Sequence, residues 1–307
     1  MEKHTYTGHT KVFMLISLAI IAAALVMSLL GMGMNMGIDF TGGSLLRYDI
    51  GAQYEAADVE KALKAQGINE FQIAKLGSEQ TELQIRLKLV EDADALRGGL
   101  EKELKAKYPD MTFVSIDHVG AVAGRDLVRN AVISMLIVFA CLLLYIGIRF
   151  DLYSGMAALL ALLHDVCIMT AFMVFFRSVY QVNSSFIAAL LTIVGYSINN
   201  TMVIFDRIRE SVKLDAYKKV SRRAVVEHSV STTISRTMNT TITTLITLVT
   251  LYIMGVDSIR EFAFPLLVGM LAGTYSSVLL SGQIWAMWQD NNTFGRVKNL
   301  FHKKAKA

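Results

Sequence analysis

The run LYSGMAALLALLHDVCIMTAFMVFF, Leu152–Phe176, is 25 residues long, and its only charge-bearing side chains are His164 and Asp165. About 20 apolar residues in a helix cross the hydrocarbon of a bilayer, so the run reads as a membrane span. Working outward, five more blocks have the same character: Val12–Leu30, Ala131–Ile148, Ser184–Phe205, Asn239–Gly255 and Phe264–Trp288. The whole chain agrees. Of 307 residues, 53% are hydrophobic and 18% charged, and mean hydropathy is +0.45; soluble domains carry about 25% charged residues. Cys141 and Cys167 are the two cysteines and both sit in apolar runs, which excludes a disulfide framework. The first block is too long for a signal-peptide core and lacks a clear small-residue cleavage site, so it reads as an uncleaved anchor. The fifth carries Thr240, Thr241, Thr243, Thr244, Thr247 and Thr250 and is expected to hide part of its circumference against other helices.

Basic residues set the orientation. With both termini in the cytosol, the N-terminal tail, the 149–151 turn, a 206–235 loop and the C-terminal tail hold fifteen of the 30 Lys and Arg, whereas the two short outer loops hold only Arg177 and Arg260. The excess positive charge is thus a topology signal, not a nucleic-acid footprint. The expected layout is 1–37 as cytosolic start, first span and linker, 38–123 as an extracytoplasmic domain, 124–288 as five spans with the basic loop, and 289–307 as a basic cytosolic tail.

The soluble segment alternates as strands over Ser44–Ile50, Glu70–Leu76, Glu82–Lys88 and Thr112–Val119. It has helical spacing over Ala56–Gln66 and Ala93–Tyr108. The order β-α-β-β-α-β is that of ferredoxin-like domains. His118 is its only histidine and it has no cysteine, which argues against zinc. No phosphate-binding loop, zinc-protease or nucleophile-elbow motif occurs anywhere. The chain is therefore expected not to be an enzyme, and any work it does must draw on a partner or an ion gradient. Glycines at 31, 33 and 37 on the way out and at 120 and 124 on the way back suggest two hinges.

Polar groups inside a membrane are costly and mark function or packing. His164 and Asp165 qualify, though neighbours on a helix point about 100° apart and are not expected to share a partner. In the fourth span, Tyr196 and Asn200 lie on one stripe and Asn199 and Val203 on another, with Gly195 and Ser197 allowing close approach. Asp206 and Arg207 mark its cytosolic end. Arg236 opens the fifth span, either snorkelling to the interface or buried against an acceptor. Gly269, Gly273 and Ser277 form a helix-contact face in the sixth.

Taken in order, Gly37-Ile-Asp39-Phe-Thr-Gly42-Gly43, Val119-Gly120 with Gly124 and Asp126-Leu127, Tyr145-Ile-Gly-Ile-Arg149-Phe150, His164-Asp165, Gly195-Tyr-Ser-Ile-Asn-Asn-Thr201, Phe205-Asp-Arg-Ile-Arg-Glu210, Arg236-Thr237 and Gly273-Thr-Tyr-Ser-Ser277 resemble the SecF branch of the SecD/SecF family. The resemblance implies an α-helical membrane protein of the RND superfamily type, with six transmembrane helices and one small α+β ferredoxin-like extracytoplasmic domain. It implies SecD and the SecYEG channel as partners, a translocating polypeptide as cargo, residence in the bacterial cytoplasmic membrane, use of a proton or sodium gradient, and no cofactor or metal. The family's fourth span usually ends its motif in Asp, implicated with the arginine matching Arg236 in proton conduction. Here that position is Asn200, which cannot carry a titratable proton. Either SecD supplies the carboxylate, or Asp165 substitutes, or this half is mainly structural, with Asn200 as a strut accepting from Arg236. An exporter half of the same superfamily and a passive scaffold of the channel are the alternatives.

Overall fold

The computed structural model describes residues 8–76, 80–87, 93–214 and 220–290. The first seven residues, Lys88, the stretch 215–219 and the expected tail from 291 lie outside them. The chain forms two compact units, one of 36–133 with 181–184, the other of the remaining segments.

The first unit is built on a sheet of β1 (Gly43–Asp49), β2 (Phe71–Leu76), β3 (Glu82–Leu87) and β4 (Thr112–Val119) in the order β2-β3-β1-β4, every pair antiparallel. This is the arrangement the β-α-β-β-α-β order demands. Helices α3 (Ala56–Ala65) and α4 (Ala93–Lys105) supply Val59, Leu63, Leu100 and Leu104 to a core with Leu46, Tyr48, Leu83 and Ile85. Tyr54 reaches under the sheet to donate to the Glu82 carbonyl at 3.2 Å. Outside the core, hydrogen bonds from Lys107 and then Tyr108 hold the Asp58 carboxyl below its ordinary range. That contact contributes above the ordinary carboxylate pKa and fades as pH falls through the lowered value.

The second unit is helical: α1 (Thr10–Leu29), the later part of α5 (Ala121–Arg149), α6 (Leu152–Phe175), α7 (Ser184–Lys213), α8 (Arg222–Met254), α9 (Asp257–Ser276) and α10 (Gly282–Asp290), the last two joined by a π-helical turn at Ser277–Ser281. Among the described residues, six stretches are long and apolar enough to cross a membrane. Asp151 caps α6, its carboxylate accepting from Ser154 N at 2.8 Å, as a helix start requires. Glycines let the helices close: a Cβ on Gly269 would stand 2.5 Å from Met169 Sδ, and one on Gly273 would stand 2.9 Å from Ser197 Cβ.

One expectation is corrected. The expected 206–235 loop is helical over 206–213 and 222–235: α7 continues to Lys213 and α8 begins at Arg222. Its basic residues disguise an amphipathic pattern whose apolar side, Ile208, Val225, Val226 and Val230, packs with Ile146, Phe205 and Trp285. The threonine-rich span does hide part of its circumference, since Thr241 is buried. Thr240, Thr243, Thr247 and Thr250 are exposed and Thr244 is half-buried, and each of these five hydroxyls donates to the carbonyl four residues back. Back-bonding satisfies a hydroxyl without a neighbouring helix.

Val226 is fully buried, so Val226→Asp should destabilise the purified chain by about 3 kcal/mol or more through an unpaired buried charge. Thermal unfolding in detergent checks it. A solvated loop would leave the melting temperature unchanged.

Candidate intramembrane site

Asp165 is 1% exposed at the middle of α6. A carboxylate there needs donors, and it has three. Ser197 Oγ of α7 donates to Oδ2 at 2.5 Å, Ser276 Oγ of α9 donates to the same oxygen at 3.0 Å, and His164 Nδ1 stands 2.9 Å from Oδ1. His164 and Asp165 also meet each other: the imidazole folds along the helix until one ring nitrogen reaches the neighbouring carboxyl group. The ring stacks on Tyr275 at 5.8 Å between centroids. Tyr275 is held in turn by its hydroxyl, which donates to the Phe13 carbonyl at 2.6 Å. Hydroxyls continue the network. Thr201 and Ser277 pair at 2.8 Å, and Ser277 donates to the Ser197 carbonyl at 3.3 Å. Sequence reasoning took Ser197 and Ser277 only as small residues for close approach and passed over Ser276 and Thr201. The signal available was a serine or threonine on each helix facing a lone intramembrane acid.

Asn200 is 2% exposed, but its Nδ2 finds no partner among the described residues. The same is true of Thr237 Oγ1. One turn away, Tyr196 donates to Thr241 Oγ1 at 3.0 Å, and Thr241 pairs with Thr274 at 3.0 Å. Arg236 is exposed and pairs with no described residue. The strut between Arg236 and Asn200 is thus absent from the chain alone, because the guanidinium lies on the outer side of α8 while the amide lies inside. Asn199 and Gly195 are exposed on α7, and space around Gly195 is open. Asp206 meets Arg149 at 3.5 Å with both side chains about half exposed, and Arg207 pairs with Glu210 at 3.0 Å. These are interface ion pairs of small energetic weight.

The Gly37–Gly43 stretch belongs to the sheet unit, where it works as a clasp. Residues 38–41 form one helical turn, α2 (Ile38–Thr41). Asp39 Oδ2 accepts from Ser184 N at 2.7 Å, and Gly37 N donates to the Val182 carbonyl at 2.7 Å. Gly42 has φ of 71° and Gly43 φ of 134°, and a Cβ on Gly43 would lie 2.4 Å from the Leu87 carbonyl oxygen. Neither position tolerates a side chain. A Cβ on Gly124 would press to 2.8 Å from the Phe40 carbonyl oxygen. Gly37 and Gly124 are thus sites of close packing, not free hinges, while Gly31, with φ of 82°, stands in open space.

A profile described as "Protein export membrane protein SecD/SecF, C-terminal" matches residues 99–291, and one described as "SecD/SecF GG Motif" matches residues 28–49. The chain belongs to the SecD/SecF family. It is 33% identical over 291 residues to the protein translocase subunit SecF of Calditerrivibrio nitroreducens, covering 91% of this chain and 92% of that one. It is 34% identical to the SecDF of Bacillus subtilis, covering 94% of this chain but 38% of that one. The crystal structure of SecDF, a translocon-associated membrane protein from Thermus thermophilus, superposes with a TM-score of 0.82 at 32% identity, over 93% of this chain and 38% of that chain. Against the SecDF chains, then, this SecD/SecF family member spans about two fifths of the length.

The orphaned Asn200 amide and the paired Thr201 hydroxyl, adjacent on α7, should respond oppositely. Thr201→Val should cost about 1 kcal/mol, a typical buried hydrogen bond. Asn200→Leu should leave the melting temperature of the full chain unchanged or raise it. A loss at Asn200→Leu equal to that at Thr201→Val would restore the strut.

Proposed function

We propose that the chain is an accessory subunit of a protein-export translocase, assisting the outward movement of polypeptides with an ion gradient and working beside a second membrane half of SecD type and a SecYEG-type channel. The observation that carries this reading is the SecDF comparison: the part of those longer chains that does not align with this one is the natural occupant of its uncovered polar face. Arg236, Asn239, Asn199 and the exposed threonines put polar groups on the surface of α7 and α8 beside exposed apolar side chains such as Ile242 and Ile246. Such groups prefer a protein neighbour to lipid. The chain is a multi-pass membrane protein. Charge bias supports the bacterial cytoplasmic membrane with both termini in the cytosol and the sheet unit outside, where it would meet the emerging polypeptide. Nothing in this role calls for catalysis, a cofactor, a metal or nucleic acid. A passive scaffold is the second reading, favoured by the neutral Asn200.

Affinity capture of the tagged chain from mildly solubilised native membranes tests the assembly. SecD and channel subunits should co-purify, and Arg236→Leu should reduce the SecD yield severalfold without changing expression. Capture of neither, or a yield indifferent to Arg236→Leu, would overturn the partner assignment. Export into inverted vesicles under a proton or sodium gradient alone separates the coupled role from the scaffold, which would respond to neither.

A further inference from the structure

We propose that the cleft where the ends of α5, α7 and α10 meet the starts of α6 and α8 binds the phosphate headgroup of an anionic phospholipid. The inference stands apart from the export reading and needs only that these helices span a bilayer.

The cleft has a volume of about 230 Å³. Its floor is apolar and mostly buried, from Phe150, Phe205, Ile208, Val212 and Trp285. Its rim carries three cations: Arg209 and Lys213 from the last turns of α7, and Arg222 at the start of α8. Pockets for small molecules run to about 300–1,000 Å³, so this one admits a headgroup and leaves acyl chains outside. Leu144, Ile148 and Leu152, near Phe150 in the chain, are exposed and offer those chains an apolar surface.

Charge selects the ligand. Arg209 and Lys213 stand four residues apart on one face of α7, where like charges repel. None of the three cations forms an ion pair with a described acid. The acids beside Arg209 on α7 are engaged elsewhere, Asp206 with Arg149 at 3.5 Å and Glu210 with Arg207 at 3.0 Å. Asp151, which also lines the cleft, is tied into its wall. Its Oδ1 accepts from Ser154 N at 2.8 Å, and its Oδ2 accepts from Gln289 Nε2 at 3.1 Å and Trp285 Nε1 at 3.4 Å. Arg209 is positioned from the α5–α6 turn: its Nη1 donates to the Arg149 carbonyl at 3.2 Å, and its guanidinium carbon lies 5.9 Å from the Phe150 ring centre. The 33-residue α8 adds the positive end of its dipole beside Arg222.

A phosphodiester suits this set. Its negative charge is shared by two unesterified oxygens, which an arginine takes as a fork and a lysine as a point charge. Position favours a lipid over a soluble anion. The cleft lies at the ends of membrane-crossing helices, with Trp285 in its wall and Trp288 one turn on, where an aromatic belt meets headgroups. Basic pockets between spans take anionic headgroups. An acidic peptide would match the charge but leave the apolar surface of Leu144 and Ile148 bare. Bound in the cleft, the phosphate joins the end of α7 to the start of α8.

Tryptophan occurs only at 285 and 288, so Trp288→Phe leaves Trp285 as the reporter. In this background the full chain, in a neutral detergent, is titrated separately with phosphatidylglycerol, phosphatidylcholine of the same chain length, inorganic phosphate and a hexaglutamate peptide, and Trp285 emission is recorded. Phosphatidylglycerol should saturate the response at a concentration about tenfold or more below that of the other three. Arg222→Gln and Lys213→Gln should each weaken it about fivefold, the worth of one cation at an anionic surface. Arg223→Gln removes the same charge from an exposed side chain outside the cleft and should change it less than about twofold. Equal responses to the two lipids, or a loss at Arg223→Gln equal to that at Arg222→Gln, would overturn the proposal. Saturation by inorganic phosphate at the lipid's concentration would make this a soluble-anion site, and saturation by the peptide would make it a docking site for an acidic segment; either also overturns it. The comparison of ligands uses the unaltered cleft, and the parent with both tryptophans serves for it, so it decides even where a variant fails to fold.

Discussion

A carboxylate placed at the centre of a membrane bundle imposes its requirements on every helix around it. Asp165 is the most enclosed acid among the described residues, and three side chains answer it from one neighbouring residue and two other helices. Serine supplies a donor with almost no bulk, so α7 and α9 approach closely. That approach leaves no room for a Cβ at Gly273 opposite Ser197. The π-helical turn follows directly after Ser276, and its serines continue the hydroxyl network to Thr201 and to the Ser197 carbonyl. Packing, backbone irregularity and side-chain choice in this region follow from the need to satisfy one buried carboxyl group.

The sheet unit obeys a different constraint. Its motif Gly37–Gly43 must turn sharply beside β1 while meeting the Val182 carbonyl and the Ser184 amide. Positive φ at Gly42 and Gly43 makes the turn, and the missing Cβ at Gly43 admits the Leu87 carbonyl. Asp39 places its carboxylate beside the Ser184 amide. The motif is conformational and electrostatic, with no reactive group.

Much of this was legible in the sequence because its signals are local. Six long apolar runs and a period-two, period-3.6 alternation between the first two of them led to the six helices and the β-α-β-β-α-β domain. The family motifs led to the SecD/SecF assignment. What stayed hidden depends on faces and partners. The ends of α7 and α8 looked like a solvated loop because Arg and Lys crowd the same stretch as Ile208, Val225 and Val226. Thr241 of the threonine run joins a packing seam while its exposed neighbours bond back to their own helix, a split that leaves no mark in the sequence. Ser197 read as a small residue, and Ser276 drew no reading, until Asp165 was placed between them. Asn200 was expected to bond Arg236, but burial of one and exposure of the other is a matter of rotation about two helices. A list of residue types cannot give that rotation.

The central claim, that Asp165 binds α6 to α7 through Ser197, is tested most directly by a double-mutant cycle on the purified full chain. Unfolding free energies would be measured for the parent, Asp165→Asn, Ser197→Ala and the double variant. The account predicts a coupling of about 0.6 to 1.7 kcal/mol, the range for interhelical hydrogen bonds in membranes. Strict additivity of the two substitutions would contradict it.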